Sequence, residues 1–152
     1  MGTLRLNTIQ NPSGTTAVSL NEDTGSPTLT SISNTSTYNS DSGAVNQNLV
    51  QAVTKSWVNF DGTGTPAPRD SLNVTSITDG GTGIFTVVLT NAMSNDDYSR
   101  TGSCGENADS GGNRILGLRV PSTGSYNVCT YNTSAGLNDN GDNCSAVHGD
   151  LA

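Results

Sequence analysis

The stretch Lys55-Ser56-Trp57-Val58-Asn59-Phe60-Asp61-Gly62-Thr63-Gly64-Thr65 holds the only tryptophan of the chain and one of its two phenylalanines. It constrains the fold more than any other stretch. A β-strand here sends Trp57 to one face with Lys55 and Asn59, and Val58 and Phe60 to the other. Large apolar groups then stand on both faces, which calls for a central strand or one trapped between subunits. The run Asp61-Gly62-Thr63-Gly64 ends the strand, because glycine supplies the backbone freedom of a sharp turn.

Apolar material is scarce elsewhere. Among 152 residues the aromatics are two Phe, four Tyr and one Trp, and the hydrophobic share is 32%. One domain with an arm is expected, its core completed by a partner subunit. The charged share of 12% is too low to keep a chain unfolded by self-repulsion, and the abundance of Thr, Ser, Asn and Gly suits short strands joined by tight turns. The fold class that follows is all-β: an antiparallel β-sandwich over 44–152, preceded by an extended N-terminal β-arm and linker over 1–43.

In chain order, Leu4, Leu6 and Ile9 mark a first alternating strand, cut by Gln10-Asn11-Pro12-Ser13-Gly14, and 17–20 is a second. These form either an attachment arm that docks elsewhere or an edge strand of the main domain. Residues 21–43 carry only Leu29, Ile32 and Tyr38 as apolar anchors and read as a linker. Val45, Leu49, Ala52 and Val53 permit a short helix capped by Ser42, with a strand leading into Lys55 as the equal alternative. Further on, Leu72 and Val74 share a face. The turn 78–83 then joins that strand to one in which Phe85, Val87 and Leu89 point one way, a hairpin with a glycine-rich turn rather than a phosphate loop, since no Gly-Lys-Ser/Thr follows. Strands are also expected at 98–101, 115–120, 126–131 and 144–148, the spacing of a sandwich.

The stretch 55–65, together with Arg69-Asp70-Ser71-Leu72-Asn73-Val74-Thr75-Ser76-Ile77-Thr78-Asp79-Gly80-Gly81-Thr82-Gly83-Ile84-Phe85-Thr86-Val87, resembles a module of structural proteins of marine tailed bacteriophages, typically at the ends of tail-fibre-like chains. Its pattern runs K-A-W-V-N-F-N-G-T-G-T, then R-D-S-F-N-V-S-S-I-T-D-N-G-T-G-D-Y-T-V. The likeness continues at Ala92-Met93, Asn95-Asp96-Asp97-Tyr98, Tyr131-Asn132-Thr133-Ser134-Ala135-Gly136 and Val147-His148-Gly149-Asp150, so that it spans roughly 50–152. The opening Leu4-Arg5-Leu6-Asn7-Thr8-Ile9 is similar to N-terminal segments of the same proteins. Departures are Leu72 and Phe85, where the family has Phe and Tyr, and an insert over 104–113.

The resemblance implies a noncatalytic virion protein, assembled in the host bacterial cytoplasm: a homotrimeric tail fibre, spike or tail appendage bound to other phage virion proteins. The alternatives are a capsid decoration or head-fibre protein and, from a different class, a carbohydrate-active enzyme. Subunit packing falls to Trp57, Phe60, Phe85 and Val87. Contact with a host cell-surface glycan falls to loops carrying Glu106, Asn107, Asp109, Asn138 and Asp139, with Tyr131 as an aromatic platform.

Other chemistry finds less support. The single histidine, His148, reads as a surface or cap residue rather than a catalytic base. No carboxylate pair of the glycosidase kind stands out from the Asp-rich turns. Cys104, Cys129 and Cys144 are expected as reduced thiols, and their spacing does not suit zinc. Residues 138–143 offer oxygen ligands but read as an acidic hairpin tip before a calcium loop. The expectation is no metal and no cofactor. A net charge of −7 without a basic stripe argues against nucleic acid. No apolar run approaches the ~20 residues of a membrane span, and Met1-Gly2-Thr3-Leu4-Arg5 lacks a secretory h-region. The sequons at Asn34, Asn73 and Asn132 are then chance matches.

Overall fold

The computed structural model describes residues 8–10, 16–20, 27–28, 32, 36–39, 46–106 and 114–152. Three short N-terminal strands, β1 (Thr8–Gln10), β2 (Thr16–Leu20) and β3 (Pro27–Thr28), pair antiparallel in that order. A second small sheet joins β4 (Thr37–Asn39) to β5 (Asn46–Asn48), a pairing that straddles the 43/44 boundary drawn from sequence. Leu4 and Leu6 lie outside the described residues, and Ile9 pairs with Val18 through its backbone.

The one helix among the described residues, α1 (Leu49–Ala52), is a single turn. Its cap is Asn48, whose Oδ1 accepts from the Gln51 amide at 3.0 Å. The expected cap, Ser42, lies outside the described residues, so the 44–53 segment divides into a strand and a turn of helix. Lys55 closes the helix. It is 8% exposed, and its Nζ donates to the carbonyls of Val50 and, at 2.8 Å, Val53. The carbonyl end of a helix carries partial negative charge, which stabilises an ammonium there.

Eight strands follow: β6 (Ser56–Asp61), β7 (Ala67–Leu72), β8 (Val74–Asp79), β9 (Ile84–Leu89), β10 (Ser99–Gly105), β11 (Ile115–Ser122), β12 (Ser125–Tyr131) and β13 (Asp142–His148). They form two antiparallel sheets, β10-β13-β6-β7 and β11-β12-β9-β8, packed as the all-β sandwich expected from sequence. The sheets meet at both edges, β10 beside β11 and β7 beside β8.

Period-2 alternation places the core. Ser56, Val58 and Phe60 of β6 are buried, while Trp57, Asn59 and Asp61 face out. Phe85, Val87 and Leu89 of β9 point inward, as their spacing predicts. Tyr126, Val128 and Val147 complete the centre, each 0% exposed. Enclosure of a side chain of this size stabilises the fold by about 1.5–3 kcal/mol.

Three sequence expectations change. Strand β7 was not foreseen, because Pro68 within it argues against a strand. It is an edge strand with a bulge beside Pro68, the setting in which a sheet tolerates proline. Leu72 and Val74 do not share a strand face: Asn73 has φ +57, a left-handed conformation that asparagine tolerates. The chain turns there from one sheet to the other. Asn91 locks the corner, donating from its amide and its Nδ2 to Asn73 Oδ1 at 2.7 and 3.0 Å, while Asn73 Nδ2 donates back to Asn91 O at 3.1 Å.

Third, 138–143 is no hairpin tip. Asn140 and Asn143 are 0% exposed, and the segment plugs one end of the sandwich. The amides of Gly62 and Gly83 donate to Asn140 O at 2.9 Å and Asp139 Oδ1 at 2.6 Å. Asn143 Nδ2 donates to Asn140 O at 2.8 Å. Only glycine admits the plug: a Cβ on Gly83, which has φ +66, would lie 2.5 Å from Thr130 O.

Candidate interaction face

The register of the β10-β13-β6-β7 sheet sets its outward residues into rows. Thr101, Ala146, Trp57 and Leu72 stand opposite one another in one row, and Ser103, Cys144, Asn59 and Asp70 in the next. Directly opposed side chains on one face contact each other. Trp57 and Ala146 are half-buried, and Leu72 at the edge is 47% exposed. A shallow depression of about 540 Å³ runs over this surface between Trp57, Thr101, Cys144 and Ala146.

A bulge closes one side of the face. Asn59 pairs with Asp70 but Phe60 with Pro68, so Arg69 is the extra residue on β7, and a bulge re-aims the side chain it carries. The guanidinium reaches Asp61 Oδ2 at 3.0 Å, Gly141 O at 2.7 Å and Asp142 Oδ1 at 3.3 Å. One cation thereby serves two carboxylates at the margin, which stays acidic by one charge, and Asn59 Nδ2, donating to Asp142 Oδ1 at 2.8 Å and Cys144 Sγ at 3.0 Å, joins them to the face.

Of the four residues assigned to subunit packing, only Trp57 lies on an outer face. Phe60, Phe85 and Val87 are at most 1% exposed inside the sandwich, where they serve the chain's own core and offer a partner no surface. The sequence could not separate the two uses, because both need an apolar strand face.

The loop candidates among the described residues have partners within the chain. Glu106 is ion-paired to Arg114 at the base of the insert, while Asn107 and Asp109 lie outside the described residues. The Tyr131 ring carries the Arg119 guanidinium at 5.5 Å from its centroid, so one face of the platform is covered. Asn138 Nδ2 donates to Asn140 Oδ1 at 2.7 Å, and Asp139 accepts from Gly83 in the plug. The structure does gather these residues at one end, since Tyr131 pairs with Ile115 and bridges to Leu137.

His148 Nε2 lies 3.0 Å from Thr54 Oγ1, and Gln51 Nε2 donates to Asp150 Oδ2 at 3.0 Å. Both contacts fasten the α1 segment to the end of β13, beside a polar cleft of about 390 Å³ reached by Asn95 and Asp97. Among the described residues no group of three His, Cys, Asp or Glu side chains is placed to hold a metal, and no helix is long and apolar enough to cross a membrane. The three thiols are free. Burial raises the Cys104 pKa, against opposing contributions from Asn140 and Arg114. Comparison with known proteins yields no match to any family model, curated protein or solved structure.

Proposed function

We propose that the chain is a noncatalytic structural protein of a tailed-bacteriophage virion, with an N-terminal attachment arm and a β-sandwich module, working as a homo-oligomeric tail fibre, spike or other tail appendage. The observation that carries this reading is the contrast between its two parts. Residues 8–48 supply strands of two to five residues in small sheets. From Ser56 to His148, eight strands of six to eight residues enclose their own core. Small sheets of so few residues are marginal alone, which suits a segment that gains its order by docking. The residues carrying the phage-like pattern support the reading too, since they are contiguous in the module: β6 with its turn, then β7, the Asn73 corner, β8 and β9.

The test is deletion of residues 1–35, which spares the β4–β5 pair and the Ser36 carbonyl that accepts from the Leu49 amide at 2.8 Å. The shortened chain should keep the unfolding midpoint of the full chain and fail to enter phage particles. A truncated chain that unfolds, or that enters particles normally, would remove the arm from the proposal. Imaging of labelled particles distinguishes tail from capsid: label on the capsid would make this a decoration or head-fibre protein.

A further inference from the structure

We infer that Asn140 is a self-modification site gated by the plug: when the plug opens, the backbone nitrogen of Gly141 attacks the Asn140 side-chain amide and converts the residue to aspartate and isoaspartate. The inference does not depend on the virion reading.

The sequence supplies the reactive pair. Asn140-Gly141 is the sole Asn-Gly step of the chain. Asparagine is among the thermolabile side chains of a protein. Its amide is attacked fastest where glycine follows, because no Cβ shields the attacking nitrogen and the backbone is free to bring it round. The steps balance with water as the only co-reactant. The deprotonated Gly141 nitrogen bonds to Asn140 Cγ, the Cγ–Nδ2 bond breaks, ammonia leaves and a cyclic imide remains. Water then opens the ring at either carbonyl. Cleavage of the new N–Cγ bond gives aspartate, while cleavage of the backbone C–N bond gives isoaspartate, whose main chain runs through Cγ.

The tertiary structure holds this pair shut. Asn140 is 0% exposed, which keeps out the base that must take the amide proton and the water that must open the ring. The peptide unit joining Asn140 to Gly141 is fixed through its oxygen, which accepts from the Gly62 amide at 2.9 Å and from Asn143 Nδ2 at 2.8 Å. The next unit is fixed in turn, because Gly141 O accepts from Arg69 Nη2 at 2.7 Å. Asn140 Oδ1 accepts from Asn138 Nδ2 at 2.7 Å. The attacking nitrogen and the carbon it must reach are both tethered, so reaction waits for a local opening that releases these bonds. The product then makes the opening one-way. Aspartate would return a carboxylate to a site closed to water, and isoaspartate alters the spacing of the two carbonyls that Gly62 and Arg69 hold. A modified plug does not reseat, in the way that chemical change of an opened state makes unfolding irreversible.

Full-length protein is incubated at mildly alkaline pH, with and without denaturing urea, and the peptide containing residue 140 is followed by mass spectrometry. Hydrogen exchange of the Gly62 and Gly83 amides, which donate to the plug, is measured in the same buffer. The expected result is conversion at residue 140 in the unfolded chain, and conversion in the folded chain slower by the factor by which those two amides are protected. Gly83→Ala, whose Cβ would lie 2.5 Å from Thr130 O, should raise exchange and conversion by one common factor. Urea below the unfolding midpoint should do the same to the wild-type chain, which needs no altered residue to fold. Folded and unfolded chains that convert equally fast overturn the inference, as does an unfolded chain that stays unmodified at residue 140. Exchange that quickens in urea or in the variant without faster conversion overturns it too.

Discussion

Phe60 of β6 meets Phe85 of β9 edge to face across the sandwich, ring centroids 5.2 Å apart and planes at 71°. This contact joins an interior strand of one sheet to an interior strand of the other, and it adds about 0.5–1.5 kcal/mol to the burial of the two rings. Truncation of either Phe to Ala should cost about 3–5 kcal/mol, read as a lower midpoint in denaturant. Trp57→Ala, on the outer face, should cost about 1 kcal/mol in dilute protein. Equal losses at Trp57 and Phe60 would mean that the outer face is already covered within one chain.

Asn143 tests the plug. Its Nδ2 donates to the carbonyls of Asn140 and Phe60 at 2.8 and 3.4 Å, with no exposure to water. Asn143→Asp places an acceptor against acceptors and buries a charge, which should cost about 3 kcal/mol or more at neutral pH. Protonation restores a donor, so the defect should shrink as the pH falls through the carboxylate range. Thermal melts at pH 7 and pH 4 measure this, and a defect of equal size at both would mean that shape, not hydrogen bonding, decides the site.

Arg69 should matter locally. The guanidinium is 39% exposed and its partners Asp61 and Asp142 are 35% and 46% exposed, so solvent screens the pairs. Arg69→Met should lower stability by no more than about 1 kcal/mol. Hydrogen exchange should quicken along β7, the strand the bulge fastens, while β13 and β6 keep their protection. Faster exchange in β13 would show that the ion pairs support the centre of the sheet as well.

Alkaline pH should weaken the fold through Tyr126. Burial raises its pKa above the usual phenol value of 10.0, although Ser145 partly opposes the shift through a 2.8 Å contact between hydroxyls. The folded chain thus prefers the neutral phenol more strongly than the unfolded chain does. The linked stability is complete below pH 10 and is lost as the pH rises through the folded value. Spectroscopic titration should show late phenolates that appear with unfolding, and Tyr126→Phe should reduce that phase to the part contributed by Tyr98, whose pKa burial also raises. A Tyr126 that ionises at pH 10 with the fold intact would contradict the assignment.

Much of the architecture was legible locally. In β6 and β9 each side chain's face follows from its place in a period-2 pattern, so Val58 with Phe60, and Phe85 with Val87 and Leu89, could be assigned inward without knowing their neighbours. The β8–β9 hairpin was legible because its turn is rich in glycine. Strand β7 was not, since Pro68 is acceptable only once the strand is known to lie at an edge. The Asn73 corner was not either, because asparagine tolerates a left-handed φ without requiring it, and the partner that fixes it, Asn91, lies 18 residues away.

By itself the sequence determined an all-β sandwich and the inward and outward faces of its strongest strands, because alternation and turn chemistry are properties of neighbouring residues. Only the tertiary structure decided which apolar residues serve the chain's own core, that the polar run 138–143 is buried, and that Trp57 shares an uncharged outer row with Leu72 and Ala146. Those outcomes depend on partners far apart in the chain, Asp139 on Gly83 and Trp57 on Ala146. A side chain's environment is set by the strands packed beside it, and that pairing becomes visible only once both sheets are closed.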